Sequence, residues 1–123
     1  MVKRKLSQSI FIALEGIAHG ISNERNIKVQ SIIGFLVLVI ALLLRIPKTD
    51  FILVMIVTFL VIIFELINTS IERLIDVLYP RKHDGIGKVK DMMAGAVLLS
   101  VVLALVVGLL LLFRPLLKLL STI

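Results

Sequence analysis

Three long apolar runs constrain the fold of this chain more than any other feature. The first covers 27–46, the second begins at Phe51, and the third covers 92–113. A helix of about 20 mostly apolar residues is long enough to cross the hydrocarbon core of a bilayer. The chain is 59% apolar with a mean hydropathy of +1.13, which exceeds the usual composition of soluble and disordered proteins. The sequence therefore predicts an all-α integral membrane protein with three transmembrane helices.

The length of 123 residues fits a single membrane domain over 1–123. Pro47 lies in the short connection between the first two runs and ends the first helix, so these spans should form an antiparallel hairpin. The chain has no cysteine, which excludes a disulfide scaffold, a thiol nucleophile and a cysteine-ligated metal. The predicted segments are a surface helix over 1–26, spans over 27–46, 51–78 and 92–113, and a loop over 79–91, with the second span extending into the cytoplasm.

Lysines and arginines divide unequally between the two ends of the predicted bundle. Ten of the 14 lie in the N-terminal segment or around the 79–91 loop, and the other four lie at the opposite end. The positive-inside rule places the N-terminus and this loop in the cytoplasm. Topology and attraction to lipid headgroups explain the net charge of +6, so no nucleic-acid partner is expected.

The leader before the first span has the pattern of an amphipathic helix. Its apolar residues fall on one face, with polar residues opposite. Such a helix should lie along the cytoplasmic face of the bilayer. It is equally compatible with an anchor that sets topology and with part of a functional site. The apolar face consists of Leu6, Ile10, Leu14, Ile17 and Ile21.

Carboxylates follow the second apolar run while the helix is still inside the membrane. Glu65 lies about 21 Å from the outer edge of this span at the helical rise of about 1.5 Å per residue. Asparagine and threonine join membrane helices readily, but several carboxylates on one face are costly without a cation or protons. The stripe predicts a cation site, a proton path or a general base. It consists of Glu65, Asn68, Thr69, Glu72 and Asp76.

A small oligomeric cation or proton transporter or channel is the alternative function. A transport path needs polar residues across the full depth of the membrane, yet Thr58 is the only polar residue between Phe51 and Phe64. This distribution favours a site that opens to the cytoplasm alone.

The 79–91 loop carries the opposite charge and suits phosphate. Its glycines let backbone N–H groups approach an anion, and its cations compensate the anion's charge. The loop lacks the spacing of a Walker A motif, and His83 has the features of a surface histidine. Asp91 should lie at the head of the third span, as an N-terminal cap or a site residue. A divalent cation between Glu24 and Glu72 would explain why two acids approach the same surface.

Two segments resemble a known family. The run ELINTSIERLID from Glu65 to Asp76, followed by KDMMAGAV from Lys90 to Val97, resembles the prokaryotic diacylglycerol kinase family, which includes undecaprenol kinases. The resemblance covers essentially the whole chain. It implies a homotrimeric lipid kinase of the inner membrane, with active sites between subunits on the cytoplasmic side. Such an enzyme transfers the γ-phosphoryl group of MgATP to a lipid alcohol.

The resemblance also implies roles for individual residues. Glu65 matches the catalytic base, and Glu24 and Glu72 match the ligands of the Mg²⁺ that accompanies ATP. Two differences concern substrates: Ile12 stands at a position that is often aromatic, and Ala94 stands where diacylglycerol kinases carry serine. MAGAV and Glu24-Arg25-Asn26 are similar to the undecaprenol kinase branch, which favours a polyprenol. The nucleotide-binding positions are Asn68, Arg81, Lys82, His83, Lys90 and Asp91.

Overall fold

The computed structural model describes residues 3–123. These residues form four helices: α1 (Leu6–Asn23), α2 (Arg25–Leu43), α3 (Lys48–Leu78) and α4 (Asp84–Ser121). Helices α2, α3 and α4 are long and apolar enough to cross a membrane. Residues 3–123 contain no strand. The predicted all-α architecture, with one leading helix and three candidate spans, is confirmed.

Helices α2 and α3 form the predicted antiparallel hairpin. Arg45 adopts a left-handed conformation, with φ of 52°, in the short connection between them. Pro47 precedes the first helical residue, and its carbonyl accepts a hydrogen bond of 3.0 Å from the backbone N–H of Phe51. Pro47 therefore starts α3 as well as preventing α2 from continuing.

A close approach between α2 and α3 occurs at Gly34. A Cβ atom at this position would lie 2.7 Å from Cγ2 of Thr58, which is nearer than two carbon atoms can pack. The Thr58 hydroxyl donates a hydrogen bond of 2.7 Å to the carbonyl of Val54, so this polar group is satisfied within its own helix. Because Gly34 has no side chain, α2 and α3 can pack closely at this point.

The leader helix ends at a break in the backbone at Glu24. This residue is extended, with φ of −112° and ψ of 115°, and it separates α1 from α2. The predicted 1–26 helix therefore stops at Asn23. Gly20 of α1 is buried, and a Cβ atom there would lie 3.0 Å from Cδ2 of Leu66 on α3. The apolar face of α1 from Leu6 to Ile17 is exposed, as a face that contacts lipid would be.

Helix α4 begins earlier than expected, and this shortens the predicted 79–91 loop. His83 caps the helix because its Nδ1 accepts a hydrogen bond of 3.4 Å from the backbone N–H of Ile86. The chain is therefore helical from Asp84, and the second half of the predicted loop is wrong. The capping role suggested for Asp91 is also wrong, since this residue lies about two turns inside α4.

Helix α4 packs mainly against α3, and α2 also packs against α3. An apolar groove of about 320 Å³ lies between α2 and α4 over the buried face of α3. The ends of α2 and α3 near Glu24 and Leu78, together with the start of α4, form one end of the bundle, which we call the charged end.

Candidate active site

The polar stripe of α3 passes from a buried to an exposed environment along the helix. Glu65 is 4% exposed and Asn68 is 7% exposed. Glu72 is half-buried, and Asp76 is exposed at the charged end. The residues that share one helical face therefore differ in their access to water, with Glu65 at the closed end of the stripe.

One amide, Asn68, lies in the deep part of this stripe, and a second, Asn26 of α2, lies beside it. The Oδ1 atom of Asn68 is buried and has no hydrogen-bond partner within residues 3–123. A buried polar atom without a partner is costly, so this oxygen marks a place where a ligand or another chain would complete the contacts. The side chain of Asn26, at the start of α2, lies near the Glu65 carboxylate. The sequence alone did not indicate this contact, because only the fold brings α2 and α3 together here.

Glu24 forms a bidentate ion pair with Arg73, across 49 positions of sequence. Arg73 Nε donates to Oε1 of Glu24 at 2.9 Å, and Nη2 donates to Oε2 at 2.7 Å. The hydrogen bonds from Arg73 lower the pKa of the Glu24 carboxyl from its ordinary value and outweigh the opposing effect of desolvation. Glu72 also interacts with the charge of Arg73. The guanidinium thus supplies positive charge near the two acids for which the sequence predicted a divalent cation.

A second ion pair joins α3 to α4. Lys90 Nζ donates a hydrogen bond of 2.5 Å to Oδ1 of Asp76. Both side chains are partly exposed. The pair holds the first turns of α4 against the C-terminal turns of α3, and it places a lysine amine at the exposed end of the carboxylate stripe.

A cavity of about 590 Å³ lies at the charged end, around the start of α4. Its volume is within the range of small-molecule sites. Its lining brings together five of the six predicted nucleotide-binding residues, while Asn68 lies outside it. Four cations of the lining, including Lys88, outnumber its three carboxylates, and cations suit a polyphosphate. The five residues are Arg81, Lys82, His83, Lys90 and Asp91.

The α3 stripe and this cavity share a single residue, Asp76. Glu24, Glu65 and Glu72 do not line the cavity, although they belong to the same end of the molecule. Within residues 3–123, no group of three or more acidic or histidine side chains is placed to hold a metal ion.

Comparison with known proteins assigns the chain to a family. The family model described as prokaryotic diacylglycerol kinase matches residues 11–112. The chain belongs to this family. The match includes all of α2 and α3, the Glu24 break and the lining of the charged cavity. The resemblance seen in the sequence is thereby confirmed, and the chain is an ATP-dependent lipid kinase.

Curated relatives extend the match beyond the shared motifs. A diacylglycerol kinase of Synechocystis sp. is 33% identical over 119 residues, which cover 96% of this chain and 68% of that protein. A diacylglycerol kinase of Escherichia coli strain K12 is 30% identical over 84 residues, covering 68% of this chain and 69% of that protein. Membership of the prokaryotic diacylglycerol kinase family favours a lipid kinase over the alternative transporter or channel.

Proposed function

We propose that this family member transfers the γ-phosphoryl group of MgATP to the hydroxyl of a membrane lipid alcohol, at the cytoplasmic face of the inner membrane. The observation that carries the proposal is the burial of Glu65 at one end of a polar stripe whose other end reaches a cationic cavity through Asp76. A lipid hydroxyl approaches Glu65 from the bilayer, and a soluble nucleotide approaches from the cytoplasm. The lipid therefore stays in the bilayer and the nucleotide stays in water while their reacting groups meet.

Glu65 acts as the general base in this proposal. Its carboxylate accepts the proton of the lipid hydroxyl as the hydroxyl oxygen bonds to the γ-phosphorus. The bond between the γ-phosphorus and the bridging oxygen breaks, and ADP leaves with the bonding electrons. Glu72 lies about 10 Å further toward the cytoplasm, given seven residues at the helical rise. This offset separates the base from the part of the site that holds the nucleotide.

The charged cavity binds the phosphates of ATP. Arg81, Lys82 and Lys90 compensate the negative charge, while His83 and Asp91 shape the lining. Asn68 lies between this cavity and Glu65 along α3, and its buried oxygen has no hydrogen-bond partner within residues 3–123. Phosphoryl transfer depends mainly on placement and charge compensation, which these residues provide.

Glu72 and Glu24 would hold the Mg²⁺ that accompanies ATP. Carboxylate oxygens are the hard ligands that Mg²⁺ prefers, and Glu72 takes part in neither ion pair of residues 3–123. Glu24 fits the same role once its oxygens exchange Arg73 for the metal. When bound, Mg²⁺ neutralises charge on the transferred phosphoryl group.

Two lipids are candidates for the acceptor. Ala94 and the Glu24-Arg25-Asn26 run favour undecaprenol, and the names of the Synechocystis and Escherichia coli relatives favour diacylglycerol. Purified protein, radiolabelled ATP and both lipids in the same mixed micelles test the choice. We expect label in undecaprenyl phosphate ahead of phosphatidic acid. Label in phosphatidic acid alone would assign the diacylglycerol branch, and label in neither would contradict the proposed function.

The proposal includes a homotrimer with active sites between subunits. The unpartnered oxygen of Asn68 and the single shared residue between stripe and cavity support a site that one chain leaves incomplete. Mixing Glu65→Gln chains with Lys90→Gln chains, at an ATP concentration below the wild-type KM, tests this arrangement, because each variant should then be impaired alone. If Glu65 and Lys90 act from different subunits, the mixed oligomer regains part of the wild-type rate. No recovery after subunit exchange would place both residues in one chain's site.

A further inference from the structure

Arg73 is a charged residue of the site for which neither the sequence nor the proposed reaction supplied a role. It follows Glu72 on α3, and its guanidinium binds both carboxylate oxygens of Glu24. The charges of Asp76 and Glu72 act on the same guanidinium. One cation of the chain itself therefore lies among three carboxylates, two of which are the proposed metal ligands.

The ion pair is poorly suited to stabilising the fold. The Arg73 side chain is 65% exposed, against 19% for Glu24, and exposed ion pairs contribute little to stability. Glu24 is also held by its backbone, since its N–H donates a hydrogen bond of 2.9 Å to the carbonyl of Gly20. The pair instead determines where the Glu24 carboxylate points after the break between α1 and α2.

We propose that Arg73 is a positioning residue that occupies Glu24 in the metal-free protein and competes with the divalent cation for its carboxylate. Both oxygens of Glu24 are engaged, so a cation must displace at least one guanidinium nitrogen. The released guanidinium then pairs with a phosphate of the nucleotide, for which its planar fork is well suited. This inference rests on the assignment of Glu24 as a metal ligand in the proposed function.

The exchange couples the binding of metal and nucleotide. Metal alone must break the Glu24–Arg73 pair without compensation, whereas metal with nucleotide gives the guanidinium a new anionic partner. Each ligand should therefore strengthen the binding of the other, as linkage requires. Replacing Arg73 should remove this coupling and should affect metal alone and nucleotide in opposite directions.

Binding of Mn²⁺ to the purified full-length protein in detergent, followed by the electron paramagnetic resonance of free Mn²⁺, tests the exchange without turnover. Arg73→Gln should tighten Mn²⁺ binding by about twofold to fivefold, the range expected for losing an exposed ion pair. Arg73→Lys, which keeps the charge but not the fork, should fall between wild type and Arg73→Gln. Adding Glu24→Gln to Arg73→Gln should abolish the gain. With Mn²⁺ saturating, Arg73→Gln should weaken binding of a non-hydrolysable ATP analogue.

Weaker or unchanged Mn²⁺ binding by Arg73→Gln would overturn the inference. If Arg73→Gln fails to fold, weaker or unchanged Mn²⁺ binding by Arg73→Lys would overturn it instead. Lipid phosphorylation by the wild-type protein, measured in parallel, reports separately on the proposed function. Phosphorylation with unchanged Mn²⁺ affinity in the variants would reject the exchange and leave the kinase proposal intact. Tighter Mn²⁺ binding without any lipid phosphorylation would support the exchange and reject the kinase proposal.

Discussion

Glu65 and Glu72 lie two helical turns apart on the same face of α3, yet Glu65 is buried and Glu72 is half-exposed. Two chemically identical side chains therefore differ in their access to water, and the proposed reaction assigns Glu65 to the lipid and Glu72 to the metal that accompanies the nucleotide. The offset follows from the helical rise and from the α2 and α4 helices that cover the membrane part of α3. In the proposed reaction, Glu65 accepts the proton and Glu72 binds the metal at a different position along the same helix.

Replacing Glu72 should change the response of the enzyme to magnesium. Loss of even an outer-shell partner costs about 10–100-fold in metal affinity, so Glu72→Gln should raise the Mg²⁺ concentration at half-maximal rate by at least about tenfold. A magnesium titration of lipid phosphorylation measures this shift. Asp50→Asn, in the first turn of α3 at the opposite end of the bundle, is the matched control. A Glu72→Gln curve that superimposes on the wild-type curve would remove Glu72 from the metal site.

Lys90 should matter for nucleotide binding. It lines the charged cavity and pairs with Asp76, and hydrogen bonds to charged groups are worth about 1.5–3 kcal/mol. Lys90→Gln should therefore raise the KM for ATP by about tenfold or more while leaving the helices folded. Steady-state kinetics at saturating lipid provide the measurement. Lys118→Gln, near the other end of α4, should keep the wild-type KM, and an equal KM in both variants would contradict the assignment of Lys90.

Gly34 should be intolerant of a side chain. A Cβ atom there would lie 2.7 Å from Cγ2 of Thr58, and overpacking of this kind costs about 1–3 kcal/mol. Gly34→Ala should lower the midpoint of thermal unfolding in detergent. Gly16→Ala is the control, because a Cβ atom at Gly16 meets no atom within 4 Å. Equal midpoints for the two variants would show that α2 and α3 do not pack closely at Gly34.

Much of the architecture was predictable because hydrophobicity and helical period decide it locally. The apolar runs predicted three spans, and the period of α3 predicted that Glu65 and Asn68 share one face. The structure adds that both side chains are buried. The start of α4 was misplaced by eight residues, since glycines and charges in 84–91 are typical of a loop. The His83 cap and the packing of α4 on α3 outweigh that local preference.

The pairing of Glu24 with Arg73 could not be predicted from the sequence. The residues are 49 positions apart, and their meeting depends on the break at Glu24 and on the packing of α2 against α3. The sequence predicted a divalent cation between Glu24 and Glu72 and did not indicate Arg73 as a partner of Glu24. The contact of Asn26 with Glu65 has the same origin. The basic cavity was easier to predict, because nine of its lining residues lie within 81–91.

The most direct test of the account compares the wild-type protein with Glu65→Gln for transfer of label from radiolabelled ATP to lipid. Glutamine preserves the size of the buried side chain but cannot accept the proton, and general bases contribute about 10²–10⁴-fold to rate. We predict labelled lipid phosphate from the wild type and from Glu15→Gln, an exposed control on α1. Glu65→Gln should remain folded and lose at least about 100-fold in rate. Transfer by folded Glu65→Gln at the wild-type rate would contradict the central claim that Glu65 is the base.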